Sequence, residues 1–471
     1  MPAGDSVLGR TLELASEFLA ALPQRPVGSR GEYRALLTAL GDRMPDEGDD
    51  AATVVERLAN AVDSGLVATA GPRYFGFVIG GSLPAALAAD WLTGVWDQNA
   101  FSYATSPAAA AVEECARRWL LDLLGLPREM SAGFVTGGTM ANFTCLAAAR
   151  HALLASLNWD VEQKGLFGAP EITVIASAES HVSVFASLQM LGLGRERVIK
   201  IETDAQGRMQ VGALRDALPK VDTPFLVCAQ AGNVNTGSFD PTEEIVVAVR
   251  KHSRQSSQKS WLHVDGAFGG WVLASPSMKA LARGIEQADS LALDSHKWLN
   301  VPYDNGLALI ADSDAHRLAM TLHAAYYAPP RTVERDNHNW VAEASRRARG
   351  FTVYAALRSL GRQGVARMIE RCSVHARRMA ELLRQDSAVE ILNEVVLNQV
   401  LVRFSPPAGI SLSKDAFTGE VIRRVQNEGT CWLSGTEWHG MRAMRISVSN
   451  WSTTEEDVAV SAAAILRCVH Y

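Results

Sequence analysis

Between Ser106 and Ile310, short apolar runs alternate with longer stretches whose apolar residues recur every three or four positions. The short runs are Gly133–Thr136, Ile172–Ser177, Arg197–Ile201, Pro224–Ala229, Trp261–Val264, Ser290–Leu293 and Gly306–Ile310. Short, continuously apolar runs predict strands buried on both faces. The longer stretches predict helices over Pro107–Leu124, closed by Gly125 and Pro127, about Met140–Leu157, Val211–Leu218 and Thr242–His252. This alternation predicts an α/β architecture with a mostly parallel seven-stranded sheet covered on both faces. In such sheets ligands bind beyond the carboxyl ends of the strands.

Outside this stretch the pattern changes. Gly41–Asp50, with Pro45, Gly48 and a cluster of acidic residues, reads as a loop following an N-terminal helix pair. After Gly350 a long helical run covers Phe351–Arg384. Shorter strands follow at Glu390–Leu392, Gln399–Phe404 and Met444–Val448, then a helix from Thr454. The expected organisation is a helical segment over 1–80, a large domain over 81–350 and a smaller α+β domain over 351–471.

Composition narrows the partners. The chain has 471 residues, 48% hydrophobic and 20% charged, with a formal net charge of -6. Nucleic acid is a poor fit, because phosphate binding wants a concentrated basic face. The one basic cluster, Arg346-Arg347-Ala348-Arg349, reads equally as a solvated helix face or a small binding patch. The six cysteines are scattered without a CxxC pair, the pattern of reduced thiols in a cytoplasmic protein. Met1–Arg10 lacks a basic region followed by an apolar run, and no stretch reaches ~18 uninterrupted apolar residues, so neither a leader nor a membrane span is expected. No metal site is expected: His439, beside Trp438, has no second ligand at suitable spacing.

Candidate chemistry gathers at predicted strand ends. Lys297, in Asp294-Ser-His-Lys-Trp298, follows one buried strand and precedes the next. Alone, such a lysine is usually a solvated surface group. Asp265, in His263-Val-Asp-Gly-Ala-Phe268, ends another strand, with Ala267 pointing the same way. A carboxylate there is costly unless paired, and a pyridinium nitrogen is a suitable partner, with a helix-capping aspartate as the lesser alternative. Thr136-Gly137-Gly138-Thr139 joins a strand to a helix, where free amides bind phosphate or simply turn the chain. It matches neither GxGxxG nor a P-loop. Glu179-Ser-His181 and Gly232-Asn-Val-Asn-Thr-Gly237 follow two further strands. His181 could stack on a flat ring or move a proton. A phosphate cradle, a ring-nitrogen partner, a stacking residue and an amine together suit pyridoxal phosphate.

The runs His263–Gly270 and Asp294–Asn300 resemble the group II pyridoxal-dependent decarboxylases, which act on aromatic amino acids, histidine, glutamate and cysteine sulfinate. Tyr74–Phe77, Phe101–Pro107 and Met444–Asn450 also match family patterns, so the likeness covers nearly the whole chain. It implies a fold-type I homodimer with active sites shared between subunits. It implies that Lys297 links covalently to the cofactor and that His296 contacts the phosphate or the substrate carboxylate. Asp265 would meet the ring nitrogen, Ala267 would underlie the ring, and His181 would stack on its other face. Gly138 and Thr139 would hold the phosphate, with Asn235 in the cofactor network. Phe77, Phe101 and Asn99 would line the side-chain pocket, and Arg445 would face the substrate carboxylate.

Two features depart from the family. Asp294 stands where familiar animal members have asparagine or serine near the phosphate. The segment Tyr326–Trp340 is shorter than the catalytic loop of those enzymes. That loop carries a proton-donating tyrosine, for which Tyr327 is the candidate, with Tyr326 next. The expected reaction is decarboxylation of a small amino acid, with an aromatic one favoured by resemblance. The alternatives are aldehyde-forming oxidative decarboxylation, carbon–carbon lyase chemistry, or a cofactor-binding homologue without turnover.

Overall fold

The computed structural model describes residues 6–41, 43–321 and 334–471. Its contacts divide the chain into two units. One gathers residues up to Ile79 with Arg378–Leu392 and Leu401–Tyr471, and the other Gly80–Arg377 with Asn393–Val400.

The larger unit is built on seven strands: β1 Ser131–Val135, β2 Thr173–Ser177, β3 Ile199–Ile201, β4 Phe225–Gln230, β5 Ser260–Asp265, β6 Ser290–Asp294 and β7 Gly306–Ile310. Their spatial order is β1-β7-β6-β5-β4-β2-β3. β6, β5, β4, β2 and β3 run parallel, whereas β7 runs antiparallel to both β1 and β6. β4 and β5 are buried at every position, as strands covered on both faces must be. Helix Gly138–Ala155 supplies much of one cover, packing Ala141, Cys145, Leu146 and Ala149 against Val174, Leu226 and Ala292 of the sheet. Small alanines let this helix lie close to the strands, so its N-terminus arrives at their carboxyl edge.

Arg346, Arg347 and Arg349 form neither a solvated face nor a basic patch. They pair separately with Glu113 at 2.7 Å, Asp90 at 2.7 Å and Asp304 at 2.8 Å. The Glu113–Arg346 pair is fully buried, and Arg335 lies 3.8 Å from the same carboxylate. Burial holds the Arg335 guanidinium down to about 10.

A second sheet has the order β10-β11-β9-β8. Its strands are β8 Val389–Ile391, β9 Gln399–Phe404, β10 Ser434–Trp438 and β11 Met441–Ser447. In the smaller unit helix Lys414–Glu428 packs on β11. The C-terminal helix Glu455–His470 starts in a capping box between Thr454 and Asp457. The long helix Gly350–Leu383 is broken at Gly361, whose φ of 59° lies in the left-handed region. No helix among the described residues is long and apolar enough to cross a membrane.

Candidate active site

The parallel strands deliver their last residues to one edge. In register, Gln230 at the end of β4 sits beside Asp265 at the end of β5. Asp265 is buried, and its carboxylate is held from three sides. Asn142 Nδ2 donates to Oδ2 at 2.9 Å, Ser183 Oγ lies 3.4 Å from the same oxygen, and the Ala267 amide donates to Oδ1 at 3.1 Å. Asn142 reaches it from the first turns of helix Gly138–Ala155, and Ser183 from the start of helix Val182–Met190.

The Lys297 turn follows β6. Asp294 closes it by accepting the His296 amide on Oδ1 at 3.0 Å. Its other oxygen accepts the Gly138 amide, also at 3.0 Å. The carboxylate therefore caps the glycine junction, an arrangement that helix N-termini favour. Of the first helix amides, that of Gly138 is engaged by Asp294. Lys297 Nζ lies 5.7 Å from the centre of the Phe268 ring. From the other side, Gly80 donates to the His296 carbonyl at 3.2 Å, and Gly81 to Asn300 Oδ1 at 2.7 Å. A Cβ on Gly80 would overlap the Lys297 carbonyl oxygen, so only glycine fits this approach.

His296 donates through Nδ1 to the Val301 carbonyl at 2.6 Å and lies against the Tyr303 ring at 3.4 Å between centres. Burial holds its pKa below the usual histidine value. His181 caps helix Val182–Met190, its Nδ1 accepting the Ser183 amide at 3.3 Å and lying 2.7 Å from Ser183 Oγ. Ser183 thereby joins His181 to Asp265. The loop before His181 is anchored by Gln230 and Asn233, whose amides reach the Glu179 carbonyl at 3.2 and 3.5 Å. Asn233 Oδ1 also accepts the amides of Asn235 and Thr236, which holds Asn235 in a buried turn.

The side-chain pocket candidates fall in both units. Phe101 stacks on His338 at 4.5 Å. Asn99 uses its amide to fasten the 345–347 segment, donating to Ser345 Oγ at 3.1 Å and accepting the Arg346 amide at 3.2 Å. Phe77 and Arg445 belong to the smaller unit. There Phe77 adopts a φ of 53° and leans on Trp432 at 5.5 Å. Arg445 is buried on β11, and burial lowers its guanidinium to about 10. Tyr326 and Tyr327 lie outside the described residues.

Sequence reasoning missed Asn142, Ser183, His263 and the Asp294–Gly138 bond. A signal existed for Asn142: it is a polar residue in an alanine-rich helix that a buried sheet has to meet.

A buried carboxylate needs compensation. The hydrogen-bond partners of Asp265 among the described residues are all neutral. A protonated pyridine nitrogen would supply such a positive charge. Beside it, Gly138 and Ala267 approach closely, a Cβ built on the glycine lying 3.5 Å from Ala267 Cβ, so larger side chains at these two positions would crowd the strand edge. These residues fit pyridoxal phosphate.

Comparison with known proteins agrees. Residues 34–405 match the pyridoxal-dependent decarboxylase conserved domain. The chain is 27% identical to the aromatic-L-amino-acid decarboxylase of Bacillus atrophaeus, over 95% of this chain and 92% of that one. It is 31% identical to the L-2,4-diaminobutyrate decarboxylase of Rhizobium meliloti (strain 1021), over 79% and 73% of the two chains. The crystal structure of Oryza sativa TDC with PLP and tryptamine superposes with a TM-score of 0.89 at 21% identity, covering 98% of this chain and 97% of that one. A strand edge that presents a lysine, a glycine cradle and a buried aspartate lacking its cation is thus met in a chain whose likeness to decarboxylases runs almost end to end, and the chain belongs to the pyridoxal-dependent decarboxylase family as a pyridoxal-phosphate-dependent lyase.

Proposed function

We propose that this lyase converts an L-amino acid with an aromatic side chain to the corresponding amine and carbon dioxide. The observation that carries the cofactor roles is the buried Asp265, held by neutral donors at the strand edge that leads into the Lys297 turn. The aromatic preference is supported by the Bacillus atrophaeus relative and by Phe77 and Phe101 as pocket candidates. The diaminobutyrate relative marks a polar substrate as the competing reading.

When bound, pyridoxal phosphate supplies an electron sink for the pair left on the α-carbon. Lys297 provides the amine that holds it, and Thr139 with Gly138 forms its phosphate end. Asp265 keeps a proton at the ring nitrogen, while Ala267 and His181 flank the ring. Asn235 braces the surrounding loop, and His296 shapes the Lys297 turn. Arg445 orients the substrate carboxylate, and Tyr327 or His181 returns a proton to the α-carbon. Phe77, Phe101 and Asn99 bound the side-chain pocket. The working form is a homodimer. The exposed apolar face of helix Pro84–Trp96, with Leu92, Val95 and Trp96, supports this reading. The six free cysteines support a reducing, cytoplasmic setting.

The test is carbon dioxide release from purified, cofactor-loaded protein across the common amino acids, with product identification. Stoichiometric amine from an aromatic substrate is expected. Lys297→Ala should abolish both turnover and the visible absorbance of bound cofactor. Aldehyde with peroxide would instead assign oxidative decarboxylation, and amine from diaminobutyrate alone would overturn the aromatic preference.

A further inference from the structure

A hydrogen-bonded chain runs through the larger unit behind Asp265. Trp261 Nε1 lies 2.9 Å from Ser290 Oγ, which lies 2.9 Å from His263 Nδ1. His263 Nε2 lies 2.9 Å from Asn142 Oδ1, and Asn142 Nδ2 lies 2.9 Å from Asp265 Oδ2. Trp261, His263, Ser290 and Asn142 are all buried.

The direction of every bond follows from its ends. An indole nitrogen only donates and a carboxylate only accepts. Facing the carboxylate, Asn142 must present its NH2 there and its carbonyl oxygen to His263. That oxygen requires the hydrogen on His263 Nε2, so Nδ1 is an acceptor and takes the Ser290 hydroxyl hydrogen. Ser290 in turn accepts from Trp261. Burial holds His263 down to about 4, which keeps the imidazole neutral and preserves this tautomer. All donors point toward Asp265, and bonds in such a series polarise one another.

We infer that Asn142, His263 and Ser290 are positioning residues that fix the orientation of Asp265 toward the ring nitrogen and so help hold that nitrogen protonated. The inference rests on the proposed pairing of Asp265 with the ring. Neither strand packing nor the cover of helix Gly138–Ala155 requires polar groups here. His263 lies on β5 two residues before Asp265 and on the same face, where an apolar side chain would otherwise serve.

The experiment loads the protein with pyridoxal phosphate carrying nitrogen-15 in the ring and records the ring-nitrogen resonance and the cofactor dissociation constant. The variants are His263→Leu, His263→Gln, Ser290→Ala and Asp265→Asn. In His263→Leu the resonance should move toward that of an unprotonated pyridine. Affinity should fall about fivefold, the worth of one neutral hydrogen bond. His263→Gln, whose amide can still donate to Asn142 Oδ1, should restore the parent signal. Ser290→Ala should move it part of the way, and decides the matter if His263→Leu fails to fold. Leucine and glutamine variants with equal shifts, or a parent-like resonance in His263→Leu or in Ser290→Ala standing in for it, would overturn the inference. Asp265→Asn separates the two levels. If it leaves the resonance unmoved, the pairing of Asp265 with the ring fails; if it alone moves the resonance, only the positioning chain fails.

Discussion

Asp294 sets two opposed demands on one side chain. Its carboxylate caps the Gly138 amide and closes the Lys297 turn, yet it places negative charge at the end of the site assigned to phosphate. Asp294→Asn removes the charge and keeps an acceptor. We expect the phosphate end to bind more tightly, with the dissociation constant falling several-fold, about 1 kcal/mol for relief of a water-screened like-charge contact. Titration of the apo-protein with pyridoxal phosphate, followed by fluorescence, checks this, and a weaker constant would mean that the cap outweighs the repulsion. Gly80 makes a different kind of demand. Gly80→Ala drives a methyl into the Lys297 carbonyl, so the turn must move. A loss of about 1–3 kcal/mol is expected, along with a diminished visible band in the loaded protein. Thermal unfolding and an absorbance spectrum measure the two effects together.

Among the elements, β1 is linked to helix Ser313–Met320 by one histidine as well as to β7 by its strand pairing. His316, on helix Ser313–Met320, donates through Nε2 to the Trp340 carbonyl at 3.0 Å and accepts at Nδ1 from Ser131 Oγ at 2.8 Å. Burial lowers it to about 3, as it lowers His263 to about 4. Unfolded, both titrate near ~6.5. Below that pH the unfolded chain takes up protons that the folded histidines refuse. Stability present above ~6.5 is therefore lost toward the folded values. Asp240 works the other way. Burial raises it to about 7, so its contribution is full below ~3.9 and fades as pH rises through about 7. Two histidines against one aspartate leave a net fall on the acid side. Urea unfolding at several pH values between 7 and 5 should show it, and His316→Gln should make it shallower. Much of this level was legible in the sequence. All seven predicted strands of the large sheet form, and Gly306–Ile310 matches β7 residue for residue, because uninterrupted apolar runs between turn residues have few other uses. β10 escaped notice, since Ser434-Gly-Thr-Glu-Trp438 buries only its two ends. The antiparallel insertion of β7 was also invisible, because a hydrophobic pattern records burial and carries no direction. The motifs singled out Asp265 and Lys297, but the Asn142–Asp265 contact joins residues 123 positions apart, beyond the reach of any local period.

At the scale of the molecule, apolar side chains left facing outward are the chief unresolved expense of the fold. Val95 is 61% exposed and Trp96 47% on the same helix, more than a lone chain comfortably leaves wet. If the proposed homodimer uses this face, the parent protein should sediment as a dimer and Val95→Glu as a monomer; a monomeric parent would overturn the homodimer, and an unchanged dimer would move the interface elsewhere. The chain also has places where its length cannot vary. Helix Gly138–Ala155 carries the proposed phosphate end at its first residues and Asn142 just beyond. Successive residues turn by about 100° around a helix axis. One residue inserted between Thr139 and Asn142 would swing the asparagine off the aspartate while leaving composition and hydrophobicity almost untouched. The spacing within that first turn is therefore a ruler that admits no gap, whatever its composition would tolerate.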